Sequence, residues 1–151
     1  MSANINIRNK KAKFEFILHE TFTAGMQLTG TEIKSIRNGK ASIVESYCVL
    51  VDGEVFIRNM NIAEYENGSY YNHNPRRDRK LLLNRKEIEK LEKKSTLKGY
   101  TIVALKVFLT KSGLAKIDIA LGEGKKLHDK RESIKDRDNK RDLDRLKKQY
   151  K

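Results

Sequence analysis

The residues of this chain with catalytic potential are three histidines, one cysteine, a glycine–lysine run and many carboxylates, and none stands in a catalytic spacing. His19, His73 and His128 are far apart and lack cysteine or carboxylate neighbours at metal-ligand intervals, so each reads as a surface or turn residue. Gly122-Glu123-Gly124-Lys125-Lys126 has the outline of a phosphate loop. It lacks the glycine five positions before Gly124, and Lys126 occupies the place of the required Ser/Thr. Cys48 sits in the apolar run YCVLV, which makes it a buried, inert thiol rather than a nucleophile. The acidic side chains lie on a basic chain, where solvation and ion pairing account for them without an acid–base pair.

Binding chemistry is better represented. Arg76, Arg77, Arg79 and Lys80 follow a polar loop that carries Tyr65, Tyr70, Tyr71 and His73. Guanidinium forks suit phosphates and flat rings suit unpaired bases, so this cluster suits RNA. Lys34, Arg37 and Lys40 form a second basic group, and Lys116 is a third, isolated cation. From Lys125 to Lys151 the chain has twelve Lys/Arg against six Asp/Glu, with no glycine or proline, so +6 of the formal +13 lies there. Such a segment buries too little apolar surface to offset its ordering entropy and is expected to be unfolded alone. Leu143, Leu146 and Tyr150 share one helical face, so a polyanion can order it as a helix.

The elements that position these groups are mostly strands. Phe14, Phe16 and Leu18 alternate with Glu15, Ile17 and His19, and Ala24–Leu28 reads as a second short strand behind a turn at Thr23–Gly25. Thr29 and Glu32 have capping-box spacing, Ile33 and Ile36 form a buried stripe, and Gly39 stops that helix. Tyr47–Val51 and Glu54–Ile57 flank Asp52–Gly53, a strong hairpin signal. Asn84 and Glu87 cap a second helix with Ile88 and Leu91 facing inward, ended near Gly99. Tyr100–Leu109 and Leu114–Leu121 make the final strand pair across Thr110–Gly113. About six strands and two short helices result. A small antiparallel sheet of that size removes its edges by closing, so the predicted fold is mainly β: a six-stranded antiparallel barrel of the oligonucleotide-binding type. It spans 1–124, with a short basic arm at 1–12, and is followed by the basic tail at 125–151.

The chain has 151 residues, enough for one domain with a modest core. An isoelectric point near 9.8 points to nucleic acid or an anionic membrane. The membrane reading is the weaker, because no apolar run approaches a spanning helix and the tail lacks a continuous Trp/Phe/Leu face. Residues 1–13 have no apolar core and are no secretory signal, and a lone cysteine excludes an internal disulfide. A cytoplasmic, monomeric protein without cofactor or metal is expected.

The string Ala24-Gly25-Met26-Gln27-Leu28-Thr29-Gly30-Thr31-Glu32-Ile33-Lys34-Ser35-Ile36-Arg37-Asn38-Gly39-Lys40 resembles the signature of the SmpB family of SsrA (tmRNA)-binding proteins. Further blocks follow in order: Ser46-Tyr47, Asn74-Pro75-Arg76, Arg79-Lys80-Leu81-Leu82-Leu83, Lys98-Gly99-Tyr100-Thr101-Ile102-Val103, and Gly124-Lys125-Lys126-Leu127-His128-Asp129-Lys130-Arg131. Asn9-Lys10-Lys11-Ala12 is similar to the family's start, so the likeness spans nearly the whole chain.

The resemblance implies a non-enzymatic adaptor whose barrel grips the tRNA-like domain of tmRNA in trans-translation. It implies partners in tmRNA and the ribosome, with a tail, disordered when free, that turns helical in the decoding centre of 16S rRNA and the empty mRNA channel. By position, Asn9, Leu82, Asn84 and Lys116 would lie on the RNA-binding surface, with Arg76, Arg79 and Lys80 as basic neighbours. In the tail, Lys125, Lys126, His128, Asp129, Lys130 and Arg131 would match the block that enters the decoding region. Two positions depart from the family pattern. Thr23 stands where many relatives carry an acidic residue implicated in RNA binding, and Glu123 replaces a usual lysine. Two other readings remain: a general RNA chaperone on the same barrel, or a small RNA-modifying or RNA-cleaving enzyme.

Overall fold

Alternating apolar side chains on long strands leave one face of each strand in need of cover, and here the sheet covers itself by closing. The computed structural model describes residues 5–66, 72–97 and 99–125. In chain order the elements are β1 (Asn6–Arg8), α1 (Ala12–Glu15), β2 (Phe16–Met26), α2 (Gly30–Arg37), β3 (Ala41–Ser42), β4 (Tyr47–Val51), β5 (Glu54–Arg58), β6 (Asn61–Ile62), β7 (Arg79–Leu82), α3 (Arg85–Ser95), β8 (Tyr100–Leu109) and β9 (Ala115–Gly124).

The main sheet runs β1-β8-β4-β5-β7-β2-β9, and β9 returns to pair with β8. Six strands (β8, β4, β5, β7, β2 and β9) therefore form a closed antiparallel ring, with β1 added beside β8 and a separate β3–β6 pair. The ring is the six-stranded barrel that the sequence predicts. Its interior holds Val55, Ile57, Leu81, Ile102, Val107, Ile117, Ile119 and Leu121, all essentially without solvent contact. Both helices have the expected ends. Thr29 with Glu32, and Asn84 with Glu87, form reciprocal capping boxes. Ile36 and Leu91 are buried in the core. Asp52 and Gly53, both at positive φ, make the β4–β5 turn.

Three local expectations are corrected. Phe14–Leu18 and Ala24–Leu28 are not two strands separated by a turn; one strand, β2, runs through Thr23–Gly25, while Phe14 and Glu15 belong to α1. Gly25 sits in extended β2 opposite Leu82 on β7, where an added Cβ would reach only ordinary van der Waals contact at 3.4 Å. The sequence pattern assigns no strand to Arg79–Leu82, which is nevertheless a ring strand, β7. The N-terminal arm is structured in part, since β1 pairs with β8 and α1 follows it.

Candidate nucleic-acid interface

Strand register places two parallel rows of side chains on the outer face of the barrel. One row reads Arg8 (β1), Lys106 (β8), Asp118 (β9) and Thr23 (β2), each paired with the next. The other reads Asn6, Phe108, Lys116, Gly25 and Leu82, crossing from β1 to β7. At about 4.8 Å between strands, the longer row spans about 19 Å. The alternate residues Ile7, Val107, Ile117 and Ala24 point inward, so the pleat sends the row members to solvent. Lys116 and Leu82, chosen from sequence as separate positions, thus share one row with Gly25 between them. Leu82 is 53% exposed, a large apolar side chain lying over a glycine on a basic face. Asn84, two residues past Leu82, is exposed and accepts from the Glu87 N–H at 2.9 Å as the α3 cap.

The electrostatics of the first row are unbalanced. Arg8 and Lys106 are directly opposite on adjacent strands, a like-charge pairing that costs stability unless an anion relieves it. Asp118 offsets part of that cost, with its Oδ2 3.7 Å from the Lys106 ammonium. The Thr23 hydroxyl donates to Asp118 Oδ1 at 2.7 Å. Lys106 also lies over the Phe108 ring, 5.4 Å from its centroid. Asn9 works behind the row: its Nδ2 donates to the Ala104 carbonyl at 2.9 Å and its backbone N–H to Leu105 O at 2.8 Å, which fixes the arm against β8.

The basic cluster at 76–80 does not act as one patch. Arg79 has no solvent exposure, which corrects its expected role as an RNA contact. Its guanidinium pairs with the equally buried Glu32 and donates to the carbonyls of Met60 at 2.8 Å, Pro75 at 3.1 Å and Asn74 at 3.3 Å. β7 alternates, and Arg79 falls on the inward phase with Leu81. Arg77 donates to the other Glu32 oxygen at 2.6 Å. Burial pushes the Glu32 carboxyl up, but hydrogen bonds from Arg77, the Thr29 N–H and Arg79 outweigh it and hold the group below its ordinary value. Lys80, on the outward phase beside Leu82, pairs with Glu54 at 2.7 Å. Arg76 is exposed but stands outside both rows, where it donates to Asn59 Oδ1 at 2.8 Å. Lys34, Arg37 and Lys40 are exposed on or just past α2: Lys34 lies 5.5 Å from the Tyr65 ring centroid and Lys40 pairs with Glu66.

His73, expected as a surface or turn residue, is buried; its ring meets Thr31 Oγ1 and Ile62 O, each at 2.9 Å. His19 pairs with Glu123 at 3.1 Å and stacks near Tyr100. Burial pushes the Cys48 thiol up to about 12, so it is inert as the sequence indicates. Tyr70, Tyr71 and the tail block Lys126, His128, Asp129, Lys130 and Arg131 lie outside the described residues. Arg8, Lys106, Phe108 and Asp118 were not singled out from sequence. The available signal was the i, i+2 spacing of Lys106/Phe108 and Lys116/Asp118 on the two strands of one hairpin.

Comparisons with known proteins identify the family. The family model "SmpB protein" matches residues 6–149. An SsrA-binding protein of Christiangramia forsetii is 54% identical over 151 residues, covering all of this chain and 96% of that protein. One from Phocaeicola vulgatus is 56% identical over 142 residues, covering 94% and 95% of the two chains. One from Flavobacterium psychrophilum is 56% identical over 150 residues, covering 99% and 100%. A solved chain described as "tmRNA-SmpB: a journey to the center of the bacterial ribosome" superposes with a TM-score of 0.71 at 41% identity, covering 86% of this chain and 94% of that one. Full-length identity above half and a shared barrel lead to one assignment: the chain belongs to the SmpB family.

Proposed function

We infer that this chain is a non-enzymatic, cytoplasmic adaptor that binds tmRNA and brings it to stalled ribosomes for trans-translation. Its SsrA-binding relatives match it along nearly their whole length, and the observation that carries the reading is the double row on the outer face. Cations at Arg8, Lys106 and Lys116 sit beside the exposed Leu82 and the half-buried Phe108, with no deep catalytic cleft required. Such a surface suits a folded RNA, read through its backbone and its unstacked bases. Asn9 positions the arm, and Leu82, Asn84 and Lys116 make contacts, with Lys80 and Arg76 at the margin. The segment from Lys125, including Lys126, His128, Asp129, Lys130 and Arg131, supplies a tethered second contact to the 16S rRNA decoding centre, raising avidity without new chemistry at the barrel.

A competition gel shift of labelled tmRNA against mature tRNA at physiological salt tests this reading. Preference for tmRNA of about tenfold or more is expected. Equal competition by tRNA and by unrelated structured RNA would mark the protein as a general RNA chaperone instead.

A further inference from the structure

Beside the first row lies a groove of about 390 Å³ that the family assignment leaves without an occupant. Two irregularities in the ring frame it. On β8, Ala104 and Lys106 face consecutive β9 residues, so Leu105 is an extra, bulged residue. On β2, the register with β9 shifts between Leu18 and Thr21. Bulges twist a sheet locally and re-aim side chains, and they recur next to binding sites. The arm residues Asn9–Lys13 close one side, pinned at the bulge by the Asn9 bonds to Ala104 and Leu105. The apolar lining is Ala12, Leu18 and Leu105; the charged rim is Arg8, Lys10, Lys13 and Lys106; a single carboxylate, Asp118, faces in.

Resting on the adaptor reading, we propose that this groove holds an unpaired guanine of the bound RNA, with Asp118 reading its Watson–Crick edge. Guanine alone among the four bases presents two adjacent donors on that edge, N1–H and the N2 amino group. An ionised carboxylate is acceptor-only, with about four lone-pair sites, and matches that pair. Adenine and cytosine set a ring-nitrogen acceptor beside their amino donor, and uracil flanks one N–H with two carbonyls, so each turns an acceptor toward the carboxylate. The Thr23 hydroxyl uses one acceptor site of Asp118 on Oδ1, and the Lys106 ammonium stands 3.7 Å from Oδ2 without a short bond. Asp118 is 18% exposed, enough to meet a base at the groove floor while the apolar residues cover the ring face. Arg8, Lys10 and Lys13 then face the flanking phosphates, and an anion there relieves the Arg8–Lys106 opposition.

The test uses isotope-labelled full-length protein and the monophosphates GMP, IMP and AMP, followed by amide shifts of Thr23, Leu105 and Asp118. GMP is expected to bind about tenfold tighter than IMP, which lacks the N2 amino group, and AMP more weakly still. Asp118→Asn presents one donor and one acceptor, so it is expected to erase the GMP-over-AMP preference and to weaken tmRNA binding about tenfold. Lys106→Met removes a rim cation but keeps the acceptor, so GMP and AMP are both expected to bind more weakly with the preference between them retained, which a merely structural role for the ion pair would not allow. Equal binding of GMP and AMP to the wild-type protein, or an undiminished preference in Asp118→Asn, overturns the proposal. Loss of the preference with tmRNA affinity unmoved also overturns it, because the groove would then serve a free nucleotide and not the RNA. If the wild-type protein shows the GMP preference but does not favour tmRNA over tRNA, the adaptor reading fails, not the chemistry of the groove.

Discussion

At the scale of single residues, the fold is built around a charge that the sequence presents as surface chemistry. Arg79 has the composition of a phosphate contact, yet its guanidinium is spent on Glu32 and three carbonyls inside the molecule. Glu32 does two jobs: one oxygen accepts from the Thr29 N–H to close the α2 cap, and both oxygens bind arginine. Removing Arg79 leaves Glu32 Oε2 without its cation, with Arg77 as the remaining cation on the other oxygen, and takes the donor from three carbonyls; breaking a buried pair costs about 3–5 kcal/mol. Arg79→Met is therefore expected to lower the urea unfolding free energy by at least about 3 kcal/mol. The pH dependence has a definite sign. The folded Glu32 carboxyl is held below its ordinary value of 4.5, so its stabilisation is present above that value and is lost as pH falls through the folded one. Glu32→Gln removes this linkage and should flatten the stability profile between pH 5 and the acid transition, read from unfolding curves at stepped pH. An unchanged acid slope in that variant would remove Glu32 as its source.

At the scale of elements, closure of the ring depends on how tightly β9 fits between β8 and β2. Gly122 faces Thr101 and Leu18 in register, and a Cβ there would meet Val103 Cγ2 at 2.6 Å and Phe16 Cβ at 3.2 Å. Gly122→Ala is expected to cost about 1–3 kcal/mol through overpacking, measured as a lowered urea midpoint with the slope retained. This need for a bare backbone is invisible in the sequence, where Gly122 reads only as part of a failed phosphate loop. What was legible had local causes: two capping boxes, the Asp52–Gly53 turn and the alternation of the last two strands. What was not legible depended on partners distant in the chain. Thr23–Gly25 looks like a turn until Leu82 is laid across it. β7 looks like a short apolar run until Arg79 finds Glu32, and β1 looks like a polar arm until β8 offers an edge. The same holds for the interface. Lys116 and Leu82 were identified singly, but their row, and Lys106 with Asp118 beside it, exist only through register.

At the scale of the whole molecule, one strand, β9, runs from the outer-face rows to the point where the basic C-terminal segment begins. Lys116 lies near the start of β9 and Gly124 at its end, eight residues on, which places them about 27 Å apart in an extended strand. At the far end the chain is anchored on leaving the barrel: the Gly124 N–H donates to Gly99 O at 3.0 Å and the Lys125 N–H to Glu15 O at 3.1 Å. Lys125 therefore follows a point about three Debye lengths from Lys116 and about two and a half from Asp118 at physiological ionic strength, where the screening length is about 8 Å. If the segment's charges stay away from the rows, the barrel's RNA contact and the segment's proposed ribosome contact are expected to be separable by mutation. Lys130→Glu combined with Arg131→Glu is expected to leave tmRNA affinity within about twofold in a gel shift, since sites this far apart couple weakly. The same variant is expected to lose peptide tagging on ribosomes stalled at the end of a message lacking a stop codon. Parallel loss of both activities would mean that the segment from Lys125 onward also serves the barrel's RNA contact, and the division of labour along β9 would be wrong.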